Sequence, residues 1–203
     1  MNSLSETPSL TGSFTAAMFE AHLAAQQSAP AWWLDRKRAA YEKFASLPMP
    51  KRTDESWRFS NIGTLTLDGF EVGRVAASAE ASREGRIPDA PDFPSPFGLA
   101  ALVFVNNLVS RRPARSADLT AKGVIITTLA EAAEKHADLL KAHFMAQPQK
   151  LGSGKFAALH TAFVQDGAFI YIPKGVTLTE PIVVVHVASG ARAAVFPHTL
   201  VIA

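Results

Sequence analysis

The sequence predicts an α+β chain in which helices come first, a small α/β region follows, and a coiled β scaffold begins near Lys155. Three observations carry that expectation. Between Thr11 and Leu47 apolar residues recur three or four positions apart, the period of a helix with one dry face. From Gly167 onward, brief β runs alternate with Gly and Pro corners only a few residues wide, and strands that short hold together when successive coils stack. Finally, 203 residues of which 48% are apolar and 19% charged can bury a sizeable core.

Residues 1–12 are rich in Ser, Thr and Pro and are expected to be a flexible N-terminus. Residues 13–154 make the N-terminal α/β region, within which 76–98 reads as a flexible Pro-rich loop. Residues 155–203 begin the β scaffold and leave it incomplete. In the first helix Phe14, Met18, Ala21 and Ala25 share a stripe, and Thr11 or Ser13 caps the start. Pro30 suits the first turn of a second helix. Its dry stripe is Trp33, Ala40, Tyr41, Phe44 and Leu47; Asp35, Arg36, Lys37, Arg38, Glu42 and Lys43 supply the wet face. Leu47-Pro48-Met49-Pro50 ends it, because proline lacks the N–H a helix needs and pushes its predecessor to an extended shape.

Lys51 to Ile62 mixes alternating charge with Trp57 and Phe59. Aromatics for stacking and arginines for phosphate would suit a nucleic acid, but the acids here cancel the cations. The simpler expectation is a helical turn capped by Asp54, with Trp57 buried and Arg52 and Arg58 paired to carboxylates. A weak strand follows at Leu65–Leu67. Leu99 to Val105 reads as a buried strand, Asn106-Asn107 as a tight turn, and Leu108 to Arg112 as the return strand, since Asn tolerates positive φ. Gly123 to Thr128 is another strand, running into a helix over 130–145 capped by Thr128, with Ala133, Ala137, Leu140 and Phe144 on one face.

After a break at Pro148 to Gly154, Phe156 to Phe163 forms a short helix. The strands Ala168–Ile172, Val176–Leu178, Ile182–Val187 and Ala193–Phe196 follow, with a last one from Thr199. Gly167 and Gly175 supply conformations closed to other residues, and Pro173 and Pro181 fix bends. The last apolar run reaches Ala203 with no turn or cap, so a longer polypeptide is expected.

Composition excludes several functions. A net charge of +2 gives no general attraction to nucleic acid or an anionic membrane. No apolar run approaches the roughly 20 residues of a membrane span, and the first ten residues lack a signal pattern, so a cytoplasmic protein is expected. With no cysteine, disulfides, thiolate metal sites and a Cys nucleophile are impossible on this chain. Gly152-Ser153-Gly154-Lys155 suggests a phosphate loop and fails: Gln149 stands where the first glycine is needed, Phe156 rather than Ser or Thr follows Lys155, and a helix precedes it.

His136 and His143 lie seven residues apart, too far for a tight metal pair, and are expected in solvent. His160 is expected to pack locally, His186 to mark a strand face and His198 a corner; none has triad spacing. Arg111, Arg112 and Arg115 read as a solvated cluster. Of Trp32-Trp33, one must leave the main stripe, which makes a partner surface a candidate role. Asp166 and Glu180 are the only acids after Leu151, too few for a carbohydrate-active or acyl-transferring β-helix enzyme. A free-standing interaction module built on the Trp32-Trp33 helix is the third reading. No catalytic, cofactor-binding or metal residue is assigned.

Pro30-Ala31-Trp32-Trp33, with Arg36, Ala39, Phe44 and Leu47-Pro48-Met49-Pro50, resembles the N-terminal region of the SufB/SufD family. So does Asp54-Glu55-Ser56-Trp57-Arg58-Phe59-Ser60-Asn61, and both pieces are nearer the SufD branch. Lys155 to Phe163 and Ile172-Pro173-Lys174-Gly175-Val176 resemble the start of that family's β-helix. The likeness covers most of the chain outside 1–12 and 70–98, and His160 departs from it where Asn is expected. The resemblance implies a right-handed parallel β-helix and a non-catalytic scaffold subunit of the SufBCD complex, which assembles iron–sulfur clusters. A SufB-like paralogue and a SufC-like ATPase are the implied partners, with a homodimer left open. The family's partner-binding residues fall in a later half, so no site residue and no cofactor carries over to these residues.

Overall fold

The computed structural model describes residues 10–72, 101–112, 116–147 and 154–203. The Pro-rich loop at 76–98, Arg115, residues 1–9 and 148–153 of the expected break lie outside the described residues. In chain order the helices are α1 (Ala16–Ala24), α2 (Ala31–Ser46), α3 (Ala117–Ala121), α4 (Leu129–Lys135), α5 (Ala137–His143) and α6 (Gly154–Phe163). The strands are β1 (Glu71–Val72), β2 (Ala101–Val105), β3 (Leu108–Arg111), β4 (Ile125–Thr128), β5 (Ala168–Tyr171), β6 (Val183–Val187), β7 (Ala193–Ala194) and β8 (Thr199–Ile202). The chain divides into two compact units, one of Met1–Gln27, Ala31–Glu71 and Pro148–Phe163, the other of Ser28–Pro30, Val72–Gln147 and Val164–Ala203.

The first unit is helical. Its core is aromatic: the Phe14 ring meets Phe163 edge-on at 5.3 Å and Phe44 at 6.3 Å, while Phe19 stacks on Tyr41 at 4.3 Å. Phe14, Phe19, Phe44 and Phe163 are all buried, each contributing about 1.5–3 kcal/mol by area removed from water. Tyr41 donates its hydroxyl to the Phe14 carbonyl at 3.0 Å, which satisfies the polar end of a ring set into this core.

Two expected stripes are displaced. In α1 the buried positions are Phe19, His22 and Leu23, whereas Ala21 and Ala25 are exposed; the cap is Thr15, whose hydroxyl accepts the Met18 N–H at 3.2 Å. In α2 the buried positions are Trp33, Lys37 and Phe44, so Lys37 faces the interior and not water. The reason is spacing: 33, 37, 41 and 44 run down one side of a 3.6-residue helix, and Lys37 sits in the middle of that row. The helix stops at Ser46, ahead of Leu47-Pro48, as proline demands.

Residues beyond α2 form turns. Glu55–Trp57 is a 3₁₀ turn, but the Asp54 carboxylate accepts the Lys51 N–H at 2.8 Å instead of capping it. Trp57 is half-buried against Phe156, with ring centroids 6.0 Å apart. Arg58 lies over the Phe59 ring at 4.6 Å, and among the described residues neither it nor Arg52 has an ion pair. Leu65–Leu67 is no strand: Leu67 is pinned when its carbonyl accepts the Ser13 N–H at 3.0 Å. Gly12, at φ 54°, lies so close to Leu67 that a Cβ would overlap its backbone. The N-terminus expected to be flexible through residue 12 is therefore already folded there.

The second unit holds two three-stranded sheets, in the orders β3-β2-β6 and β4-β5-β8. β2 and β3 form the expected hairpin, with Asn106 and Asn107 at φ 46° and 74°. β2 runs parallel to β6, and β4 antiparallel to β5. β5 and β8 are parallel: Ala168 faces Thr199 and Tyr171 faces Ile202, a constant step of 31 residues. Leu102, Phe104 and Ala168 form the buried centre, with Val109, Ile126 and Val184 packed on it.

The long helix expected over 130–145 is two, broken at His136 (φ −132°, ψ 36°). Thr128 does cap α4, its hydroxyl accepting the Glu131 N–H at 3.2 Å. Helix α3 escaped the apolar pattern because none of its five residues is buried; it is fixed by Ser116, whose hydroxyl accepts the Leu119 N–H at 3.3 Å. Val176–Leu178 is irregular, not a strand. Gly175, at φ 82°, has the left-handed backbone expected of it, but Gly167 is required for another reason. A Cβ there would run into the His198 carbonyl and come within 2.9 Å of Leu129 Cδ1, where β5 is drawn against the start of β8.

Candidate functional site

The chemistry in the first unit gathers where α1, α2 and α6 meet. Lys37, only 1% exposed, donates from Nζ to the Ala162 carbonyl at 3.0 Å and lies 3.2 Å from His22 Nε2. Its Nζ also lies 5.7 Å from the centre of the Trp33 ring. Gln26 brings its side-chain Nε2 to 2.8 Å from the same His22 nitrogen and also donates to the His22 carbonyl at 3.3 Å. An amide nitrogen and an ammonium are both donors, so His22 Nε2 is the acceptor and the ring proton sits on Nδ1. The His22 ring is 5.2 Å from that of Phe163.

Electrostatics follow from this burial. Desolvation lowers Lys37 to about 7. Burial, then the neighbouring Lys37 charge, lowers His22 to about 3 and His160 to about 4. His22 and Lys37 thus share one dry contact, against the ordinary rule that such groups face water. Sequence spacing placed Lys37 in solvent; the signal available was its position four residues after Trp33 and four before Tyr41.

Lys155, the lysine of the apparent phosphate loop, is spent on the protein itself. Its Nζ donates to the carbonyls of Phe44 at 2.9 Å and Leu47 at 2.6 Å, and sits 4.4 Å from the Phe44 ring centre. Those carbonyls end α2, where helical N–H partners run out, so a cation is doubly suited. Burial lowers its pKa.

In the second unit the polar groups also serve the fold. Asp166 accepts the Ala130 N–H at 3.0 Å and the Gly167 N–H at 2.8 Å, joining Thr128 in capping α4; burial raises its pKa against those bonds. The two turn asparagines reach across to the chain after β6. Asn106 exchanges bonds with Ser189, and Asn107 accepts the Phe196 N–H at 2.6 Å and donates to the Ala194 carbonyl at 3.3 Å. Glu131 takes Lys135 at 2.8 Å, Thr127 at 2.7 Å and Arg112 at 3.1 Å, and the Lys135 and Thr127 bonds lead in lowering it to about 2. This cluster borders a cleft of about 310 Å³ floored by Leu102, Val124 and Ile126.

The remaining candidates are dispersed. His136 is half-buried and stacked on Phe169, a correction to the solvated position expected, while His143 is exposed. His186 stacks on Phe104 at 5.0 Å and His198 packs on Phe144 at 4.9 Å. Trp33 is buried; Trp32, half-buried, has the Arg36 guanidinium 6.0 Å from its ring centre. Glu180 is exposed. Among the described residues no group of three or more His, Asp or Glu side chains is placed to hold a metal ion, and no helix is long and apolar enough to cross a membrane.

The family model described as SufBD protein N-terminal region matches residues 14–184. The iron–sulfur cluster assembly protein SufD of Bacillus subtilis (strain 168) is 30% identical over 184 residues, 86% of this chain and 39% of that protein. An iron–sulfur cluster assembly SufBD family protein of Arabidopsis thaliana is 28% identical, covering 75% of this chain and 35% of its own length. The assembly protein SufB of the same Bacillus strain is 25% identical, over 85% of this chain and 38% of its own length. The chain spans between 22% and 39% of the length of the curated relatives it matches.

Proposed function

The chain belongs to the SufBD family, and from that premise we propose that it is the N-terminal part of a non-catalytic, SufD-like scaffold subunit of a cytoplasmic complex that assembles iron–sulfur clusters. The observation that carries the reading is the parallel β5–β8 ladder with its constant step of 31 residues. A strand that meets its parallel neighbour after β6 and β7 have intervened has made one circuit. We take this circuit as the first coil of a right-handed parallel β-helix, each coil supplying the partner its neighbour lacks. Such a stack offers partners a stiff surface. Its polar groups here are used internally, Asp166 as a helix cap and Asn106 and Asn107 as struts.

The partners this reading requires are a SufB-like paralogue and a SufC-like ATPase. The test is affinity purification of the natural polypeptide that carries this chain, co-expressed with the paralogue and the ATPase from the same source. A stable three-component complex on size-exclusion chromatography is expected. Elution of the tagged protein alone at low and high salt, or turnover of a polysaccharide or acyl donor by it, overturns the reading.

A further inference from the structure

We propose that His22 and Lys37 form a proton-sensitive latch that holds α1 against α2 and α6 near neutral pH and releases α1 in acid. The latch lies within the first unit and does not depend on the family reading. Its key is the crowding of donors around one nitrogen. His22 Nε2 has the Gln26 amide at 2.8 Å and Lys37 Nζ at 3.2 Å, and only a lone pair can accept both. Protonation turns that lone pair into an N–H aimed at two donors and sets an imidazolium beside an ammonium. Both hydrogen bonds become repulsions at a buried contact, where polar groups lose most by being unpaired.

Among the described residues, the elements at this contact contribute bases and neutral groups. From α1 and the turn after it come His22 and Gln26, while Glu20 is exposed. From α2 come Lys37, the Trp33 ring and the Tyr41 hydroxyl, the last donated to the Phe14 carbonyl. From α6 come the Ala162 carbonyl, the Phe163 ring, the Thr161 hydroxyl, which donates to the Ala157 carbonyl, and His160, which feels the Lys37 charge. The depressed value of about 3 for His22 agrees with the geometry: the folded contact admits no further proton.

α1 is the element that yields. It has nine residues, too few to persist as a helix without tertiary contacts, and it is held by Phe19, His22 and Leu23. Once α1 lifts, His22 is free to regain its ordinary pKa. The opening constant then rises about tenfold for each pH unit between 6.5 and the folded value.

The test is residue-resolved hydrogen exchange on the whole chain from pH 7.5 to 4.5, corrected for intrinsic exchange. Protection in α1 is expected to fall about fiftyfold between pH 6.5 and 4.5, ahead of α4 and α5. In His22→Phe, which can still pack on Phe163, that fall shrinks at least about tenfold; in Lys37→Met α1 keeps more protection at pH 4.5 than the parent. If α1 exchanges in step with α4 and α5 at every pH, or if His22→Phe retains the full acid release, the latch is wrong. Nitrogen-15 spectra of the parent's histidines decide the matter even where a variant does not fold. At pH 7 His22 should be the Nδ1–H tautomer with an unprotonated Nε2, and an Nε2–H ring or an imidazolium at pH 6 overturns the proposal.

Discussion

Lys155→Met removes the cation that closes α2 while keeping nearly the same stem in place. The parent residue is 3% exposed and gives one hydrogen bond each to the Phe44 and Leu47 carbonyls, at 2.9 and 2.6 Å. Hydrogen bonds from a charged donor are worth about 1.5–3 kcal/mol each, and the acceptors left behind keep their desolvation cost. Against this stands the cost of burying the ammonium, visible in its lowered pKa, and methionine fills the space without a cavity. The net expectation is a loss of about 2–4 kcal/mol. At about 2–4 °C per kcal/mol for a chain of this size, the melting temperature should fall by roughly 5–15 °C. Differential scanning calorimetry and urea titration of parent and variant measure it. A variant that melts within about a degree of the parent would refute the capping argument. So would micromolar binding of ATP by the parent that Lys155→Met abolishes, since the lysine would then serve a phosphate and not a helix end.

Three further outcomes are expected. Gly167→Ala and Gly175→Val should both destabilise, for different reasons: the first drives a methyl into the His198 carbonyl and Leu129, costing about 1–3 kcal/mol and disturbing the β5–β8 ladder. The second strains a φ of 82° in open space, costing about 1–2 kcal/mol by chemical denaturation and leaving the ladder's amide protection unchanged; wild-type stability in either variant counts against its assignment. The first unit should also gain about 2 kcal/mol between pH 7 and 9. Lys37's folded value of about 7 lies below its ordinary 10.5, so the unfolded chain binds the extra proton; the benefit is complete above the unfolded value and is lost as pH falls through the folded one. Urea unfolding at the two pH values checks this, and Lys37→Met should flatten the difference.

What the sequence disclosed divides along physical lines. Local chemistry was legible: the Asn106-Asn107 turn, the stop at Leu47-Pro48 and the Thr128 cap all depend on residues within a few positions of each other. Apolar periodicity placed α2 and most strands but misjudged α1, where Phe19 and Leu23, not Met18 and Ala21, point inward. It could not see Lys37, because a lysine's burial depends on an acceptor 125 residues away, the Ala162 carbonyl, which no local window contains. The break at His136 was hidden for a similar reason, since Phe169, the ring it stacks on, lies on β5. The candidate site was therefore the least legible part, being built from contacts of long sequence separation between residues that look solvated.

Lys37 and Lys155 resolve into a pair once their acceptors are compared. Lys37 extends from α2 to the end of α6, and Lys155 extends from the start of α6 back to the end of α2. Each helix thus ends on a carbonyl satisfied by the other's lysine, a reciprocal closure that neither helix can make alone. The two partners are separated by more than a hundred residues, so the helical unit cannot close until Phe163 is in place, and long-range closure of this kind is slow. The unsatisfied carbonyls give a physical reason for tying α6 to α2 with buried cations. A leucine at either position would bury more apolar surface but leave a helix end unsatisfied.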